Sequence, residues 1–156
     1  MRRYLALIFL AASTFDLSAA DRDDIYVEMV GATSLNVSGR HRFGAVVGYL
    51  PRDDIGVGFA FEDLYSVNPE TRDKSSLRSS IEFRWFQEPF EFAADIGIMR
   101  RSYRDSTSQT QATVGVTTAY LVALTPSLAA KADFSFLFLD DPRVLFSGGV
   151  GFRMLF

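Results

Sequence analysis

From Ile25 to the last residue, apolar side chains recur at every second position with few breaks. The pattern is plainest in residues 144–156, VLFSGGVGFRMLF, where Val144, Phe146, Gly148, Val150, Phe152, Met154 and Phe156 alternate with Leu145, Ser147, Gly149, Gly151, Arg153 and Leu155. A period of two means a strand with two unlike faces. A half-buried strand in a water-soluble protein also alternates, but it rarely sets large aromatics on one face against glycines and an arginine on the other.

Eight such segments are assigned: 25–33, 40–50, 55–62, 77–86, 90–99, 112–122, 128–138 and 144–156. Turn signals separate some of them, namely Ser38-Gly39, the PRDD of 51–54, the QEP of 87–89 and the TPS of 125–127, where proline presets the backbone and aspartate or glycine completes the turn. The polar stretches 63–76 and 100–111 read as long loops, and 140–143 as a short one. Within the eight segments no charged residue falls on the apolar faces; Val57, Phe83 and Ile96 typify them. Nearly every charge lies on the opposite face. Contact with lipid demands that sorting, because Arg or Lys at a bilayer midplane costs about 2–4 kcal/mol. The expected fold is therefore all-β, an eight-stranded antiparallel up-and-down transmembrane β-barrel. Its aromatic rims would be Tyr49, Trp85, Phe90, Tyr120 and Phe156 at the end holding the chain termini, and Phe43, Phe61, Phe138 and Phe146 at the other.

Composition agrees. A chain of 156 residues suits one domain, and its formal net charge of −3 gives no electrostatic case for nucleic acid as a partner. Cysteine is absent, which excludes disulfides, thiolate metal sites and a thiol nucleophile. No run of about 18 apolar residues follows the N-terminus, so helical spans are not expected. Residues 1–20 read as a cleaved secretory signal peptide: Arg2 and Arg3 precede a short apolar core that ends in Ser18-Ala19-Ala20. The exported domain would comprise 21–156, with both termini in the periplasm.

Signal peptide, eight alternating segments and terminal Phe156 together resemble the small Gram-negative outer-membrane barrels, such as the membrane domain of outer-membrane protein A and the outer-membrane protein X group. The resemblance implies an outer-membrane location and a terminal strand, with Phe152, Met154 and Phe156, that the barrel-assembly machinery reads. It also implies outer-membrane lipids and lipopolysaccharide as surroundings, and a monomer.

Candidate site residues lie on the polar faces. Glu28, Arg42 and Glu62 come from the first three segments, Arg78, Glu82 and Arg84 from the fourth, Glu91 and Asp95 from the fifth, and Lys131, Asp133 and Arg153 from the last two. Eight strands enclose only enough space for side chains to fill, so these should form a mutually neutralising charge network rather than a channel. Glycines among them leave room that water could occupy, which keeps a narrow ion path as an alternative. A two-residue turn at Glu88-Pro89 places Phe86 opposite Glu91, Arg84 opposite Ala93 and Glu82 opposite Asp95, with Arg84 diagonal to both Glu91 and Asp95. Lys131 or Arg153 could reach across.

The enzyme alternative is a lipid A acylhydrolase or acyltransferase, whose sites pair histidine with serine and an acidic residue near the outer leaflet. His41 is the sole histidine; Ser38 and Ser79 are the nearest candidate serines, and no motif around His41 matches those families. No catalytic residues, metal ligands or cofactor are therefore assigned, and the expected role is non-enzymatic. The acidic runs 21–24 and Asp140-Asp141 lack the spaced oxygens of a calcium loop. Around the outer loops Arg72, Lys74, Arg100, Arg101 and Arg104 would face lipopolysaccharide phosphates.

Overall fold

The computed structural model describes residues 25–52, 54–67, 73–105, 107–139 and 144–156. The leader, the 21–24 run, Arg72 and the 140–143 turn lie outside the described residues, as does the side chain of Lys74. Eight strands form one closed antiparallel barrel: β1 (Ile25–Ser34), β2 (Arg40–Arg52), β3 (Ile55–Ser66), β4 (Asp73–Gln87), β5 (Phe90–Tyr103), β6 (Ser108–Thr125), β7 (Leu128–Leu139) and β8 (Val144–Leu155). Each strand pairs with its sequence neighbour, and β1 pairs with β8. Closure leaves no strand edge unpaired.

The alternation sorts as expected. Inward residues such as Tyr26, Glu28, Arg84, Glu91 and Asp133 are buried, while outward residues such as Phe61, Ile96, Ile98 and Val150 are exposed. The β4–β5 turn sets the expected register, with Phe86 against Glu91, Arg84 against Ala93 and Glu82 against Asp95. Gly39 makes the β1–β2 turn with φ of 71°, in the left-handed region that glycine enters without penalty.

The ladders run farther than the sequence suggests. Residues 63–66 continue β3, and 73–76 begin β4. Most of 100–111 is not a loop but the end of the β5–β6 hairpin, with Arg100 against Thr110 and Ser102 against Ser108. The connections away from the termini are therefore short, six residues at most. Toward the loop end the longer strands also bring charges onto the outward face: Asp63 lies between Phe43 and Leu77, and Arg100 between Leu77 and Thr110. Both sit near the loop end, where the apolar band stops.

At the β1–β8 seam, backbone pairing ends with Leu35 N donating to Phe146 O at 2.7 Å. Asn36 then substitutes its side-chain amide for another strand residue: Nδ2 donates to Val144 O at 2.5 Å, and Oδ1 accepts from Phe146 N at 3.0 Å. At the other end of the seam Phe156 N donates to Ile25 O at 2.9 Å.

Candidate functional site: two charged tiers in the lumen

Alternation turns one side chain in two toward the barrel axis, and the charges so directed gather into two separate tiers. The tier nearer the termini is built on Glu28 of β1 and Glu91 of β5, whose side chains are 0% and 1% exposed. Lys131 Nζ, from β7, donates to Glu28 at 3.0 Å and to Glu91 at 2.8 Å. Arg84 of β4 reaches Glu28 at 2.5 Å and Glu91 at 3.0 Å, and its Nε also holds Glu82. Arg153 of β8 donates from Nε to Glu28 at 2.5 Å and is ion-paired with Glu91. Three carboxylates thus face three cations. Such balance is what makes burial tolerable, since an isolated ion in the interior costs several kcal/mol.

Tyr26 completes this tier. Its hydroxyl donates to Glu82 at 3.4 Å, and the Arg84 and Arg153 guanidinium carbons stand 4.9 and 5.4 Å from its ring centre. That position exists because β2 and β3 carry glycine beneath the ring. A Cβ at Gly48 would fall 2.1 Å from Tyr26 Cζ, and one at Gly58 would fall 2.6 Å from its hydroxyl. Side chains take up the space over several of the inward glycines. Tyr26 fills the space over two of them, and the Asp95 carboxylate occupies that over Gly115.

The second tier lies toward the loop end. Arg78 donates from Nη1 to Glu62 at 2.6 Å and from Nε to Thr113 Oγ1 at 2.9 Å, and its Nη2 holds Asp95. Arg42 bridges Glu62 at 3.1 Å and Asp133 at 3.3 Å. Here three carboxylates meet two guanidinium groups. A void of about 10 Å³ touches Arg42, Glu62, Arg78 and Asp95, near the minimum for one water molecule. Asp95 thus belongs with Arg78, not with Arg84 as the diagonal register suggested. Although Glu82 and Asp95 are directly opposed, each turns to its own arginine, so the like-charge pair is split between tiers.

Apolar layers bound both tiers. Leu64, Met99, Leu137 and Leu145 pack together beyond the second tier, with Val37 and Leu139 against them. Leu50 and Leu155 pack beside Tyr26 at the end holding the termini, and Val46 and Ala60 pack against it from the loop side. The sequence reading missed Tyr26, Thr113 and these layers. An aromatic on the polar face of one strand, with glycines at the paired positions of the next two, was the available signal for Tyr26.

His41 faces outward. Its Nδ1 is 3.2 Å from Thr33 Oγ1, and its ring lies beside that of Tyr65 with centroids 5.6 Å apart. Ser79 stands two strands away and four residues farther from the loop end, and Ser38 is exposed in the β1–β2 turn. Among the described residues, the polar side chain that His41 meets is that of Thr33, not a serine or a carboxylate. Phe152, Met154 and Phe156 project from the outward face near the termini, each exposed.

No protein-family model and no curated protein matches the sequence. Solved structures do. The N-terminal β-barrel domain of Pseudomonas aeruginosa OprF is 17% identical with a TM-score of 0.60, covering 86% of this chain and 98% of that one. Neisserial surface protein A is 18% identical with a TM-score of 0.58, covering 85% and 95%. The Yersinia pestis outer membrane protein Ail, in a phospholipid bilayer nanodisc, is 15% identical with a TM-score of 0.52, covering 85% and 99%. At such identities the likeness carries the fold: this chain is an all-β, closed, eight-stranded antiparallel barrel with the architecture of the small outer-membrane barrels.

Proposed function

We propose that the protein is a non-enzymatic outer-membrane barrel whose sealed lumen does not conduct, and that it contributes to envelope integrity. One observation carries this reading: the outward wall is apolar around its circumference while the charges are gathered inside. Ile98 on β5 is 62% exposed, Phe61 on β3 56% and Val150 on β8 70%. In water such a surface would drive aggregation; in a bilayer it is the favourable face. Rims of Tyr49, Trp85 and Tyr120 at one end and Phe43 and Phe138 at the other are exposed where the membrane interfaces would lie.

The surroundings on this reading are outer-membrane lipids and lipopolysaccharide, with Arg100 and Arg104 near the phosphate level, and the protein is a monomer. The barrel-assembly machinery would read Phe152, Met154 and Phe156. Short connections favour a structural role over protruding surface adhesion. Ion-paired tiers between apolar layers argue against a channel, and the surroundings of His41 against hydrolysis. Fractionation of expressing cells should recover the protein in the outer membrane, starting near Asp21. Planar-bilayer recordings should show no unitary steps, and mass spectrometry should find lipid A unchanged. A soluble periplasmic product, steady conductance or an altered acyl chain would each overturn the proposal.

A further inference from the structure

The outward wall is interrupted by an open groove beside the β1–β8 seam. Cross-strand neighbours from β7 to β3 form a row of Phe134, Gly148, Thr33, His41 and Tyr65. In the row beside it Gly31 lies between Val150 and Phe43. These rows line a groove of about 600 Å³, within the roughly 300–1,000 Å³ typical of ligand sites. Its floor is open at Gly31, where an added Cβ would meet nothing within 4 Å. At Gly148 it has walls, with Phe134 and Leu35 standing 3.5 and 3.6 Å from an added Cβ.

Barrel strands tilt by about 35–45°, so a row of cross-strand neighbours climbs the wall as it goes round. This one climbs from the middle of β7 to the loop end of β3, where Tyr65 is the last residue but one. Four strand spacings make it about 19 Å long, which at that tilt is a rise of about 11–13 Å, within the roughly 15 Å depth of one leaflet of hydrocarbon. Polarity changes along the same path. Phe134 and Val150 make the deep end apolar. At the rim Thr33 Oγ1 meets His41 Nδ1 at 3.2 Å, beside the Tyr65 ring.

We propose that this groove retains one acyl chain of an outer-leaflet lipid, with the lipid's polar headgroup against Thr33, His41 and Tyr65. The match is of length, depth and polarity gradient with a single amphipathic chain. A second barrel fits less well, since its convex wall would ride on Leu35 and Phe134 instead of entering between them. The inference rests on the membrane reading above, and the experiment separates the two.

The protein is refolded into phosphatidylcholine vesicles containing a trace of phosphatidylcholine with a diazirine midway along one chain, irradiated, and mapped by peptide mass spectrometry. Label is expected several-fold denser on Gly31, Thr33 and Val150 than on Ile96 and Ile98 of the opposite wall. Gly31→Phe, which places a ring in the open floor, should abolish that excess and leave labelling at Ile96 and Ile98 unchanged. Even labelling around the wild-type wall would overturn the inference while leaving the membrane reading intact, and does not depend on the variant folding. Label on neither wall would overturn both. Crosslinks between barrels through Gly31 and Gly148 would replace the lipid with a second copy.

Discussion

Replacing Arg84 with alanine tests the tier nearer the termini most directly. Arg84 is 2% exposed and touches Glu28, Glu82 and Glu91, so its loss leaves three buried carboxylates with only Lys131 and Arg153. Removing one member of a buried ion pair costs about 3–5 kcal/mol, chiefly because the partner stays buried and uncompensated. Glu82 is most affected, since among the described residues Arg84 is its ion-pair partner, and Tyr26 OH remains at 3.4 Å. Adding Glu82→Gln to Arg84→Ala restores a balance of two carboxylates and two cations, and should recover about 0.5–3 kcal/mol, the usual coupling for contacting residues. Adding Asp95→Asn instead should couple by less than about 0.5 kcal/mol, because Asp95 is held by Arg78 in the other tier. The assay is urea unfolding of the lipid-refolded protein, followed by emission of Trp85, the single tryptophan. Equal recovery from the two second-site changes would refute the division into tiers. No recovery from Glu82→Gln would refute charge balance as its organising principle.

Gly48→Ala should destabilise by about 1–3 kcal/mol through overpacking against Tyr26, and a Tyr26→Leu background should remove most of that cost in the same urea titration. Val57→Arg, Phe83→Arg and Ile96→Arg should each cost about 2–4 kcal/mol in bilayers if they lie near mid-depth, and a much smaller loss at all three would contradict the assigned outward face. Asn36→Ala removes the side-chain bridge to β8; hydrogen exchange should quicken at the Phe146 amide and stay unchanged in the β4–β5 hairpin. Deleting Phe156 should slow appearance of the heat-modifiable folded form in cells, and an unaltered rate would remove the proposed assembly signal.

The faces and the β4–β5 register were legible because a period of two is a local signal, and because burial on one side leaves no freedom to slip by one residue. At 100–111 the signal fails for a physical reason. Near the loop end the outward face carries Arg100, Ser102 and Thr110 while the buried inward face carries Arg101 and Gln111, so polar residues on both faces show no contrast although their backbones remain paired. Asp63 was assigned to a loop for the same reason. The partition of charges was illegible on different grounds. Arg84 reaches Glu28 on β1 across the lumen, while Arg78 takes Asp95, and strand adjacency says little about either. The role of Tyr26 required comparing three strands at one height, which becomes possible only once their registers are known.

The tier around Glu28 also bears on how the barrel is completed. Glu28 enters on the first strand, and its cations arrive on the fourth, seventh and eighth; Lys131 is 103 residues away and Arg153 is 125. A growing sheet open between β1 and β8 cannot bring these groups together, so its carboxylates must stay hydrated or remain unpaired against apolar neighbours. Contacts of such separation form late, after the entropy of closing the chain has been lost. The last strand supplies Arg153 and the seam in the same step, so neutralisation of the interior and closure of the wall coincide. A sheet that has not taken up β8 carries a surplus negative charge in this tier and an exposed edge together, which gives a partially assembled barrel little stability of its own.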